Sequence, residues 1–129
     1  MKRITTLLAA SALLLTVSVP TVLAKDGEGT RITLKASKAF PAAKGTAEFK
    51  STAEERELQV EVEHIRRLAG KRVLFFVGGK KLATKKVNRL GAAEINRNSE
   101  RGQFVPAVSN GTAVKVKTTG GVLIVSGSF

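Results

Sequence analysis

The chain has 129 residues, with 22 Lys and Arg against 10 Asp and Glu, and it contains no Cys, Trp or Tyr. Thiol catalysis, thiolate metal sites and disulfides are thereby excluded, and the six Phe are too few to fill a core and also build an aromatic stacking platform. A formal net charge of +12 suits anionic partners such as nucleic acid, phosphate-bearing envelope polymers or lipid headgroups, and it says nothing about fold.

Residues 1–24 read as an export signal. Lys2 and Arg3 give a positive start, and Leu7 to Val19 is an apolar run interrupted only by Ser11, Thr16 and Ser18. Pro20 ends the run, and Val22-Leu23-Ala24 has the small-residue spacing of a cleavage site. About a dozen apolar residues are too few for the roughly 20 that span a bilayer as a helix. With no Cys after the run, a lipid anchor is excluded. Cleavage after Ala24 leaves 105 residues, a usual size for one domain, with a net charge of +10. The expected location is the periplasm or the extracellular space, with no transmembrane segment in the mature chain.

Residues 25–30 are polar and glycine-bearing, a flexible lead-in to a domain expected over 31–129. From there apolar residues recur with period two, the signature of strands with one wet face. Ile32, Leu34 and Ala36 form one such set, and Ala47 and Phe49 another. The clearest is Leu58, Val60 and Val62 against Gln59, Glu61 and Glu63. Ser51 to Glu55 has capping-box spacing, but the alternation that follows reduces it to a turn or one helical turn. Over 73–77 both faces are apolar, which predicts a central strand, or one whose second face, at Leu74 and Phe76, is covered by a loop or another chain. Gly78-Gly79 then reads as a tight hairpin turn. Further strands are expected near Leu82 to Val87, at Ala93 and Ile95, at Val114 and Val116, and over 122–125. Residues 96–103 read as a loop, with Phe104-Val105 re-entering the core. About eight short strands at this spacing predict a single all-β antiparallel sandwich, immunoglobulin-like in architecture.

The segments Gly45-Thr46-Ala47-Glu48-Phe49, Arg56 to Val62, Phe76-Val77-Gly78-Gly79, Leu90-Gly91-Ala92-Ala93 and Gly120 to Phe129 carry a resemblance. Through them the chain resembles small secreted bacterial β-sandwich proteins of uncharacterised function, immunoglobulin-like or transthyretin-like. The first half is similar also to secreted domains that bind copper through histidines, but those histidines are missing. The resemblance implies a fold class and an exported location, and no catalytic residue.

No catalytic, metal or cofactor constellation emerges. A Ser-His-Asp arrangement would need His64 and Asp26, the only His and the only Asp, and Asp26 sits in the lead-in. His64 continues the Leu58/Val60/Val62 face at a strand end, where a rim position is expected. Glu61 and Glu63 share one face of one strand rather than facing each other across a cleft. Gly78-Gly79-Lys80-Lys81 lacks the earlier Gly and the following Ser or Thr of a phosphate loop. Asn110-Gly111-Thr112 is a formal glycosylation sequon that reads better as a turn. Phe129 ends an alternating stretch, as in outer-membrane barrels, but aromatic girdles are missing and the strands are short.

Charge is the feature that stands out. Residues 65–89 hold nine cations and no acid: Arg66, Arg67, Lys71, Arg72, Lys80, Lys81, Lys85, Lys86 and Arg89. Residues 25–64 are near neutral. The expectation is a non-catalytic exported module, without cofactor, whose basic hairpin face contacts an anionic envelope polymer or another envelope protein. Sequence-specific nucleic-acid reading is not expected. The alternative is a protein–protein assembly module that uses exposed strand edges or the second face at Leu74 and Phe76.

Overall fold

A computed structural model describes residues 29–129. Residues 1–24, read from the sequence as an export signal, and the first four residues of the expected lead-in lie outside the described residues.

Eight strands follow in chain order: β1 (Gly29–Ala36), β2 (Lys44–Ser51), β3 (Arg56–Glu63), β4 (Arg72–Val77), β5 (Lys80–Lys86), β6 (Ala93–Asn98), β7 (Ala113–Thr118) and β8 (Leu123–Ser128). Two single 3-10 turns, Arg66–Leu68 and Ser99–Arg101, complete the regular structure of the described residues. The described residues are all-β, and every ladder is antiparallel, in keeping with the two-residue rhythm. Gly29 and Thr30, which the alternation leaves in the lead-in, belong to β1 and pair with Lys50 and Phe49.

Pairing runs without a break in the order β5-β4-β7-β8-β1-β2-β3-β6. The result is one curled, nearly closed sheet rather than two separately paired ones. β1 makes the join. Its first six residues pair with β2, and Lys35 and Ala36 pair with Ser126 and Val125 of β8. Such a crossing brings backbones close at Leu34. A Cβ on Gly45 would lie 2.9 Å from Leu34 Cβ, and one on Gly127 would lie 2.9 Å from Leu34 Cδ2. Only glycine fits on either side of that side chain.

The edge strands β5 and β6 approach each other, and a side chain spans the gap between them. Arg97 Nη2 of β6 donates to the Leu82 carbonyl of β5 at 2.8 Å. This inward-pointing arginine explains the polar stretch Asn96-Arg97-Asn98, which reads as loop in the sequence but continues β6. Inside the curl lies one apolar cluster drawn from both halves, including Leu34, Phe49, Leu58, Val60, Phe75, Val116 and Ile124. Phe129 packs edge-on against Phe49 with ring centroids 6.5 Å apart. Phe104, expected in the core, is 63 % exposed, and its neighbour Val105 is the buried anchor. Thr52 Oγ1 accepts from the Glu54 and Glu55 amides, so the capping-box spacing closes a turn.

Strand directions gather four connections at one end: 37–43, 64–71, 87–92 and 119–122. The other end collects the β2–β3 and β4–β5 turns, the long 99–112 connection and both termini of the described chain.

Candidate functional site at the basic end

The end formed by 37–43, 64–71, 87–92 and 119–122 is built by anchors that face inward and so force charge outward. After β3 the chain leaves the sheet through His64, whose φ of 63° is rare outside glycine. Ile65 and Leu68 are buried, and the 3-10 turn between them leaves Arg66 and Arg67 exposed. Gly70 donates to the Val87 carbonyl and Val87 to the Lys71 carbonyl, both at 2.8 Å, which seats this segment against the end of β5. In the next connection Asn88 Oδ1 accepts from the Leu90 and Ala92 amides at 2.9 and 3.1 Å. That leaves Arg89 and Leu90 at the tip. Ile65 N–H donates to the Gly91 carbonyl at 3.0 Å and locks the two connections together.

In 37–43, successive turns bury Phe40. The Arg67 guanidinium lies 4.3 Å over the Phe40 ring and also donates to the Ala39 carbonyl. These two contacts hold the cation in place.

Five cations in these connections, Lys38, Arg66, Arg67, Lys71 and Arg89, have no acid among them, and Arg72 and Lys86 at the strand ends extend the set. Among the described residues no Lys or Arg has a carboxylate within 4.0 Å. The one contact of that kind is His64 Nε2 to Glu63 Oε1 at 3.9 Å, with both side chains about half exposed. Two open depressions flank the end. One of about 620 Å³ is lined by Ala69, Gly70, Lys86, Val87, Asn88 and Arg89. The other, about 230 Å³, lies between Phe40, Pro41, His64 and Arg66.

Of the nine cations singled out in the sequence, Arg66, Arg67, Lys71, Arg72, Lys86 and Arg89 meet at this end. Lys85 stands one residue further along the edge strand β5. Lys80 and Lys81 are at the opposite end, beside a cleft of about 370 Å³ with Leu82, Arg97, Phe104 and Pro106. The hairpin therefore carries two basic groups and not one. Lys38 was missed because it lies in a near-neutral stretch and joins the cluster only through the fold. Lys115 and Lys117 lie outside the acid-free run, and their place beside β4 follows only from the β4–β7 register. The register sets them opposite Phe76 and Leu74, and Lys117 Nζ lies 5.1 Å over the Phe76 ring. Lysine stems thus partly cover the apolar second face of β4.

His64 does not continue the buried face of β3. It falls after the strand and is exposed, with Glu63 beside it. Asp26 lies outside the described residues. Among the described residues no three side chains of metal-ligating type cluster, and no helix is long and apolar enough to cross a membrane. Comparison with family models, curated proteins and solved structures finds no match.

Acids gather elsewhere, on the outer face of β1-β2-β3-β6: Glu48, Glu57, Glu61, Glu63 and Glu94, with Arg31, Lys44 and Lys50 interspersed. Partial burial first, then the Glu63 and Glu94 charges, push Glu61 above its ordinary value, against the pull of Arg31. A folded state that holds this proton more tightly than the unfolded chain loses stability as pH rises from the unfolded pKa through the raised one. Glu61→Gln is therefore expected to unfold at a higher temperature than the wild type at neutral pH. The gap should close below the unfolded carboxylate range, and thermal melts at both pH values check it.

Proposed function

We propose that this protein is a non-catalytic exported module that binds an anionic envelope component through the end bearing Lys38, Arg66, Arg67, Lys71, Arg72, Lys86 and Arg89. The observation that carries the reading is that, among the described residues, these cations have no carboxylate within 4.0 Å although eight of the ten acids are described. A merely solubilising surface gains from mixing both signs. Here the connections of one end carry five cations and no acid, and backbone hydrogen bonds pin those connections, so little ordering is required on binding. Export is supported by the charge, apolar run and cleavage spacing of residues 1–24.

The test is elution from heparin and polyphosphate columns. A variant with Arg66, Lys71, Lys86 and Arg89 changed to Gln is expected to elute at clearly lower salt than the wild type. Lys80→Gln with Lys81→Gln, which removes charge at the other end, should elute between the two and close to the wild type. Equal elution of all three removes the proposal.

Assembly through strand edges is less well supported, because β5 and β6 face each other and Arg97 ties them. The sandwich reading, immunoglobulin-like or transthyretin-like, is supported by the join between the two halves, only two residue pairs of β1 and β8. It is also supported by the single core those halves enclose.

A further inference from the structure

Two apolar side chains stand out at the basic end. Leu90 is 73 % exposed and Val122 46 % exposed. Each is held outward by its own turn. Asn88 Oδ1 fixes the backbone around Leu90. Thr118 Oγ1 accepts from the Val122 amide at 3.0 Å, and the Thr118 amide donates to the Val122 carbonyl at 2.9 Å. A soluble polyanion would use the cations of this end and gain nothing from rigid greasy tips. An anionic bilayer uses both, because lysine and arginine sit at headgroup level while short apolar side chains reach the acyl boundary.

We infer that the anionic component is a lipid surface, and that the protein docks on it end-on, with Leu90 and Val122 entering the interface inside a collar that includes Lys38, Arg66, Lys71 and Arg89. The inference rests on the proposed anionic binding and adds its source. Phe104, also exposed at 63 %, lies at the opposite end and should face away from the membrane.

The chain has no Trp or Tyr, so one introduced tryptophan reports without background. Protein purified after expression of the full chain is mixed with vesicles of phosphatidylcholine alone or with an equal share of phosphatidylglycerol. Leu90→Trp emission is expected to shift to the blue on the phosphatidylglycerol vesicles, whereas Phe104→Trp emission should stay unchanged. Changing both Leu90 and Val122 to Ser should weaken co-sedimentation with those vesicles about tenfold, and leave heparin elution and the melting temperature as in the wild type.

The membrane inference fails if Leu90→Trp shifts no more than Phe104→Trp, or if the serine variant sediments like the wild type. Retention on heparin without vesicle binding would also overturn it while leaving the anionic reading intact. Loss of both would overturn the two together.

Discussion

Phe75→Ala is expected to remove about 3–5 kcal/mol of folding stability, a large share of the roughly 5–15 kcal/mol typical of a domain. Phe75 is fully buried on β4, with Ala83 of β5 on one side and Val116 of β7 on the other. The small Ala83 makes room for the ring, and neither neighbour is long enough to fill the space that alanine would leave. The cavity stays open and its lining loses dispersion contacts. In a domain of about a hundred residues that corresponds to a fall in Tm of roughly 12 °C or more. Phe104→Ala is the matched control. It deletes the same atoms from a side chain that is mostly in water, and is expected to move stability by less than about 0.5 kcal/mol. Denaturant melts of both variants decide the point, and equal losses would mean that β4 is not the centre of the core.

Gly91→Ala is expected to damage both stability and binding without touching a charge. The residue has φ +83°, a conformation that costs an L side chain about 1–2 kcal/mol. Its Cβ would lie 2.6 Å from the Arg66 amide nitrogen and 2.8 Å from Arg66 Cα. These are backbone atoms that cannot swing aside, so the 64–71 segment must move. That movement also breaks the bond from Ile65 N–H to the Gly91 carbonyl. Gly102→Ala separates the two costs, since Gly102 has φ +78° but nothing within 4 Å of an added Cβ. Gly91→Ala should be the less stable by roughly 1–3 kcal/mol, the scale of one buried hydrogen-bond group left unsatisfied. It should also leave heparin at lower salt than Gly102→Ala, because Arg66 and Arg67 are displaced. Identical elution would mean that the placement of these arginines is immaterial to binding.

Strands were readable wherever one face is buried and the other wet. Leu58, Val60 and Val62 have water-facing partners on both sides, and their rhythm matches β3 residue for residue. The two-sided apolar run at 73–77 correctly marks a strand flanked on both sides, by β5 and β7. Legibility failed where a residue answers to something distant in sequence. Arg97 is polar because it faces a gap between edge strands, so β6 looked shorter than it is. Phe104 suggested a core position, yet the buried anchor is Val105. Closure of the sheet depends on β1 passing between Gly45 and Gly127, and no local pattern encodes that approach. The basic end was half visible. The acid-free run from Arg66 to Arg89 is linear, but its division into two groups, and the recruitment of Lys38, follow from strand direction alone.

The connections of one end carry cations and no acid, while most carboxylates lie on the β1-β2-β3-β6 flank among a few cations, so positive charge is biased toward that end. Near a negatively charged sheet of headgroups, such a body feels a torque before it makes contact. It turns its cations forward within the last Debye length, about 8 Å at physiological ionic strength. On the proposed membrane docking, capture then needs less rotational search, so low ionic strength should quicken arrival more than it slows escape.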